Sequence, residues 1–336
     1  MNAAPQPSTL GEILDRTANL YRAHFLKFVG LASPPAAVLL GCMGGFVLLV
    51  TMNAGAQRDA TANTVIGLGV VGLMLIATPL YVGASALSSA ALSHAGSAAA
   101  FDEPITIRGS YGAVWKRGWR YVGLYVVQGL AILGGPLLVW TFALVVFATV
   151  AGAGRQAGPA MGAAAGVMML LLGAALAVVA VWMLVLLAMA FPASVVENLG
   201  PGTALKRAAA LSKGTRWRIL VMYLLGAAIG YIVSIVLMVP VFFVAMIPGM
   251  ATPQKLQLLG TIVIIVFYGI AFAVQALTKP IYAIALVLFY YDQRVRKEGF
   301  DIELLMRQAG MVAEPAAMAA ATRSVEAAQE TAGGAA

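Results

Sequence analysis

Charge is what this chain has least of. Charged residues fill 10% of the 336 positions, against about 25% in an ordinary soluble domain, so water cannot be the solvent for most of its length. Cysteine is nearly absent too: a lone Cys42 rules out an intramolecular disulfide and any cysteine-based metal cluster. Histidine is reduced to His24 and His94. No HExxH, GxSxG or carboxylate pair occurs, so the motifs of zinc hydrolases and serine esterases are missing. None of the 13 carboxylates falls in the middle of an apolar run, where an intramembrane enzyme or a proton-coupled pump needs ionisable groups. These absences point away from catalysis and imply neither metal nor cofactor.

What abounds is apolar sequence, 61% hydrophobic residues with a mean hydropathy of +0.91. Six runs, 28–52, 64–98, 121–151, 161–195, 219–249 and 256–291, each exceed the ~20 residues that span a bilayer. They lack the alternation of barrel strands. The expected fold is therefore all-α, a polytopic integral membrane protein of six transmembrane helices. The longest runs must tilt, kink or protrude, with Pro79, Pro192, Pro240 and Pro280 as kink points.

The polar first eight residues are followed by Thr9 and Glu12 at capping-box spacing. Leu10, Ile13, Leu14, Thr17 and Tyr21 then recur with helical period. This predicts an amphipathic helix that either lies on the bilayer surface or packs on the loops. The first apolar run is too long for a signal-peptide core. Leu39–Cys42 matches a lipoprotein box by letter, but apolar sequence continues past it, so Cys42 reads as a helix thiol. Residues 1–310 are expected to form the membrane domain and residues 311–336, Ala-rich and aperiodic, a disordered tail.

A net charge of +8 could suggest nucleic acid. However, of the 21 cations only Arg58, Arg155 and Lys255 fall in one set of alternate loops. The others mark the opposite side, which by the positive-inside rule puts both termini in the cytoplasm and excludes nucleic acid as the partner. The densest cluster lies at 196–218, where Lys206, Arg207, Lys213, Arg216 and Arg218 face a single acid, Glu197. Leu14, Arg16, Leu20 and Arg22 share the spacing of Leu205, Arg207, Leu211 and Lys213, and Trp119-Arg120 echoes Trp217-Arg218. The spacing predicts a possible three-fold repeat, each unit an interfacial basic segment and two spanning helices, related by an axis along the membrane normal.

A basic membrane face can hold anionic headgroups, at about 1 kcal/mol per cation, although topology alone also demands inside cations. The candidate headgroup residues are Lys206, Arg207, Lys213, Arg216, Arg218, Lys279, Arg294 and Arg296, flanked by interfacial Trp115, Trp119 and Trp217. Lys279 is the one cation inside an apolar run. It either snorkels to the interface or turns inward toward Asp292, Glu197 or a lipid phosphate. Gly67, Gly69 and Gly72 match a dinucleotide fingerprint by letter but lack its context. They read as helix contacts, like the pairs Gly41/Gly45, Gly162/Gly166 and Gly226/Gly230. Gln128, Gln275, Ser85, Ser88, Ser89, Tyr268 and Tyr282 read as interhelical hydrogen-bond partners.

Three stretches carry a resemblance: GEILDRTANLYRAHFLKF (11–28), VENLGPGTALKRAAALSKGTRWRIL (196–220) and LFYYDQRVRKEGFDIELL (288–305). They are similar to the membrane-domain family of bacterial glycerophosphoryl diester phosphodiesterases. The resemblance implies a helical domain of the bacterial inner membrane, fused in some relatives to a catalytic barrel. That barrel's His-Arg-Gly motif has no counterpart, since His24 precedes Phe25 and His94 precedes Ala95, so no catalytic residue carries over. The expected function is a non-enzymatic module that binds membrane lipid headgroups or a protein partner at the cytosolic face. The alternative is a transporter or channel for a small amphiphile, and the oligomeric state is open.

Overall fold

The computed structural model describes residues 7–53, 60–153, 159–245 and 253–308, and among them every regular element is a helix. The expected tail at 311–336, with Arg323, and the loop cations Arg58 and Arg155 lie outside the described residues. The first helix, α1 (Leu10–Ala23), starts where the capping box predicts. The Glu12 carboxylate accepts the Thr9 N–H at 2.8 Å and the Thr9 hydroxyl accepts the Glu12 N–H at 3.3 Å. Next come α2 (Phe25–Asn53), α3 (Ala60–Ala100), α4 (Ile107–Trp115), α5 (Gly118–Gly129), α6 (Gly135–Ala153), α7 (Pro159–Leu186) and α8 (Ala190–Val196). The chain ends in α9 (Pro201–Leu211), α10 (Arg216–Ala245), α11 (Pro253–Glu298) and α12 (Phe300–Gln308).

Six segments are long and apolar enough to cross a membrane: Phe25–Leu49, Gly67–Ala100, Gly118–Ala148, Gly166–Val196, Arg216–Val239 and Val266–Glu298. Each overlaps one of the six predicted runs, with ends that differ by up to ten residues. α2 packs along α3, and α11 lies against α2, α3 and α10. α6 and α7 form a second pair, with α7 touching α10.

The helix continues through Pro79, Pro240 and Pro280, whereas a turn over Leu187–Met189 separates α7 from α8 just before Pro192. α2 also accommodates Pro34 and Pro35. A π-helical turn, Leu130–Gly134, joins α5 to α6. Pro136 explains it: the ring has no N–H and crowds the carbonyl four residues back, and the wider turn relieves that crowding.

Small residues set the helix contacts. A Cβ on Gly69 would stand 2.3 Å from Leu49, one on Gly45 3.2 Å from Leu73, and one on Gly226 2.5 Å from the Tyr282 ring. The Gly226/Gly230 pair thus lets α10 approach Tyr282 and Thr278 of α11, whereas Gly41, Gly67 and Gly72 face open space.

The buried core belongs to one end of this bundle. Its large members, among them Phe28, Leu31, Leu92, Ile105, Leu124, Met189, Ile284 and Phe289, come from the ends of the spans nearest α1, α4, α9 and α12. The far half turns Leu75, Leu138, Phe142, Leu170 and Leu171 outward. In water such surface would cost about 25 cal/mol per Å², while lipid solvates it without penalty. α11 is the pillar of both halves. At 46 residues it is about 69 Å long, more than twice the ~30 Å hydrocarbon core.

Candidate functional site at the basic end

The three polar stretches, separate in sequence, converge at the buried end of the bundle. α1 is fastened there rather than left loose. The Tyr21 hydroxyl donates to the Leu277 carbonyl at 2.9 Å and Arg16 donates to the Ala100 carbonyl at 2.7 Å. α1 buries Ile13 and Thr17 against the protein and leaves Glu12, Asp15, Arg16 and Asn19 exposed on its other face. Tyr111 of α4 donates to the Leu31 carbonyl at 2.8 Å, and burial pushes its hydroxyl pKa up to about 12.

Two ion-pair networks organise this end. The first is centred on Glu197, which caps α8 where the chain turns through Asn198 (φ 54) into α9. Asx residues tolerate that left-handed backbone, and the Asn198 side chain and carbonyl also accept hydrogen bonds from Arg117 and Arg120. Glu197 accepts from Arg207 of α9 at 3.0 Å through each oxygen, and from the Tyr290 hydroxyl of α11. Arg207 also reaches Glu298, and Arg294 bridges Glu298 at 3.1 Å and Glu303 at 3.9 Å. Arg294 stacks 4.2 Å over Phe300 as well. Partial burial alone would lower the Arg207 pKa, but bonding to Glu197 and Glu298 outweighs it and raises it.

The second network surrounds Asp292, whose side chain is only 2% exposed. Arg296 donates to both its oxygens at 3.0 Å, Arg218 stands 3.5 Å away, and the Ser8 N–H donates at 2.8 Å. Arg218 and Arg296 donate in turn to the Ser8 carbonyl at 3.0 and 2.8 Å. This ties the chain just before α1 to the start of α10 and the end of α11. Lys297 adds a third tie, donating to the Leu211 and Lys213 carbonyls at 2.8 and 2.7 Å, where a cation satisfies a helix C-terminus.

The predicted headgroup residues therefore divide. Arg207, Arg218, Arg294 and Arg296 are bound to carboxylates within the chain. Arg216 stacks 4.7 Å over Trp182 with no ion pair among the described residues. Lys206 and Lys213 are exposed and make none either. Lys279 turns inward, but to neither Asp292 nor Glu197. Its ammonium donates to the Ser88 hydroxyl at 3.2 Å and the Ser85 carbonyl at 3.4 Å. Gln128 donates to the Leu187 carbonyl at 3.0 Å and Gln275 to the Tyr81 hydroxyl at 3.3 Å, the interhelical role expected of them.

Glu298, Ser8 and Gln293, which donates to Asp292 at 3.1 Å, did not stand out in the sequence as members of these networks, and Lys297 stood out only as one of the cations of that face. The signal for two of the pairs was present, because Asp292/Arg296 and Arg294/Glu298 are four residues apart on one helix face. The tie to Ser8 has no sequence signal. No group of three or more potential metal ligands occurs among the described residues.

Fold and surface together define a multi-pass helical membrane protein. Searches against family models, curated proteins and solved structures return no match to this chain.

Proposed function

We propose that the chain is a non-enzymatic membrane module that gathers anionic lipid headgroups around its basic end. The observation that carries this is a rim of outward cations beside exposed tryptophans. Trp115, Trp119 and Trp217 are 69%, 86% and 71% exposed. Arg108, Lys116, Lys206 and Lys213 are exposed near them and unpaired among the described residues. Amphipathic rings and cations without ion pairs, exposed on the helices of the same end, suit a headgroup layer. By the positive-inside rule the basic end and both termini are cytoplasmic in this reading, in a bacterial inner membrane. The resemblance to the phosphodiesterase membrane-domain family is kept as part of it, supported by the convergence of its three stretches in one structure. The same rim would serve a protein partner of acidic character. The order short helix, span, span occurs three times along the chain, which supports the proposed three-fold repeat.

The test replaces Lys116, Lys206 and Lys213 by Gln and compares retained phosphatidylglycerol with phosphatidylcholine by native mass spectrometry. At about 1 kcal/mol per cation near an anionic surface, phosphatidylglycerol enrichment should fall several-fold for each charge removed. Unchanged enrichment would end the reading of this rim as a headgroup site. Neutralising Arg207 or Arg218 would not be a clean test, because both hold the fold together.

A second reading, transport of a small amphiphile, is favoured by a cavity of about 530 Å³ between α2, α3 and α11. Cysteine labelling at Ser88, Gln128 and Gln275 tests it. Water accessibility at all three positions supports a path, and uniform protection counts against one.

A further inference from the structure

The cavity between α2, α3 and α11 is lined by Cys42, Phe46, Met74, Tyr81 and Tyr268 among others, and its walls are largely apolar. Tyr81 marks its end nearest the basic side. There the Tyr81 hydroxyl accepts from Gln275, and one helical turn further on along α3 and α11 Lys279 meets Ser85 and Ser88. Lys279 has no carboxylate partner among the described residues: Asp292 lies thirteen residues further along α11, about 20 Å away, and Glu197 is bound to Arg207. An ammonium carries three donors, and two are accounted for by a hydroxyl and a carbonyl, which leave its charge uncompensated. The hydroxyl oxygen of Ser85, whose carbonyl meets the ammonium, is buried and makes no hydrogen bond of 3.5 Å or less among the described residues, with Tyr125 of α5 its polar neighbour.

A partly buried cation set above an apolar cavity has the polarity of an amphiphile's binding site. The dimensions agree. From Lys279 to Tyr268 is about 16 Å along α11, close to one leaflet of a ~30 Å hydrocarbon core. We propose that this is a site for one anionic phospholipid, its phosphate on Lys279 and Ser85 and one acyl chain running past Tyr81 into the cavity. The site rests on the lipid reading above and deepens it, yet it is separate from the outer rim, since neither Lys206 nor Lys213 lines it.

Cys42 is the chain's single cysteine and lines the cavity, so it reports occupancy without any engineered background. The full chain in detergent micelles is alkylated with N-ethylmaleimide in the presence of phosphatidylglycerol, phosphatidylcholine with the same chains, or oleate. Phosphatidylglycerol should slow alkylation of Cys42 about tenfold more than phosphatidylcholine, the worth of one charge-assisted contact. Lys279→Gln should erase that difference and Lys279→Arg should keep it. Equal rates with the two phospholipids, protection that survives Lys279→Gln, or protection by oleate alone would each overturn the site. If Lys279→Gln does not fold, Ala77→Trp fills the cavity from α3 without touching the cation. It should abolish retained phosphatidylglycerol at this site in native mass spectra, and undiminished retention overturns the proposal. The double variant Lys206→Gln and Lys213→Gln should leave Cys42 protection intact, so failure of the rim and failure of the cavity are told apart.

Discussion

The two halves of this molecule solve opposite solvation problems with the same helices. Of the most apolar stretch of Val266–Glu298, 44% is buried inside the protein, whereas for Gly118–Ala148 the figure is 0%. At the basic end, burial, helix caps and ion pairs must hold short helices against water. In the far half, lipid solvates the outward Leu and Phe, and Gly45 and Gly69 let α2 and α3 approach at Leu73 and Leu49. Tertiary stability is thus concentrated at one end, and the other is free to leave a cavity between helices.

Core truncations break this comparison most sharply. Leu92→Ala, at a fully buried position, should cost about 3–4 kcal/mol of stability in detergent. The equal truncation Leu171→Ala, 62% exposed in the far half, should stay within about 0.5 kcal/mol. Matched losses from thermal or denaturant unfolding would mean the far half is packed after all.

Next comes Asp292→Ala. Most ion pairs at the basic end are partly exposed and of a kind worth about 0–1 kcal/mol each. Asp292 differs because it is buried, and removing it strands Arg218 and Arg296 and frees the Ser8 N–H. A loss of about 3 kcal/mol is expected, with faster tryptic cleavage after Arg16 and Arg22 as α1 lets go. A smaller effect, about 2 kcal/mol from overpacking, should follow Gly226→Leu. There the added carbon meets a Tyr282 ring already stacked on Tyr223 at 5.5 Å. Gly41→Leu, facing open space, is its neutral counterpart. Glu197→Gln should cost about 1 kcal/mol, since Arg207 and Arg294 keep Glu298 as a partner.

Much of the far half was legible from hydropathy, because a bilayer imposes length and polarity on each span regardless of its neighbours. The capping box of Thr9 and Glu12 was legible as a local device. The basic end was read by charge but not by pairing. Counting cations against one nearby acid at 196–218 suggested an open face, yet Arg207 finds Glu298 ninety-one residues away. Long-range partners of that kind depend on how α9 and α11 cross, which no local spacing encodes. The π turn at Leu130–Gly134 shows the same limit: Pro136 was visible, but not how the helix would absorb it.

The smallest stability effect discriminates best between a rim that binds and a rim that merely orients. Lys206 and Lys213 are exposed and make no ion pair among the described residues, so their neutralisation should change stability by less than about 0.5 kcal/mol. Charge that only sets topology has done its work once the protein is inserted, and removing two of the many cations at this end should then leave lipid composition around the folded protein unchanged. Charge that binds headgroups continues to act, so Lys206→Gln and Lys213→Gln together should lower phosphatidylglycerol enrichment in nanodiscs of mixed lipid. Raising the salt should shrink the same enrichment in the unaltered protein, because exposed charges are screened beyond about 8 Å at physiological ionic strength. An enrichment insensitive both to salt and to these two lysines, but lost in Lys279→Gln, would assign all lipid selectivity to the cavity and leave the rim a purely topological feature.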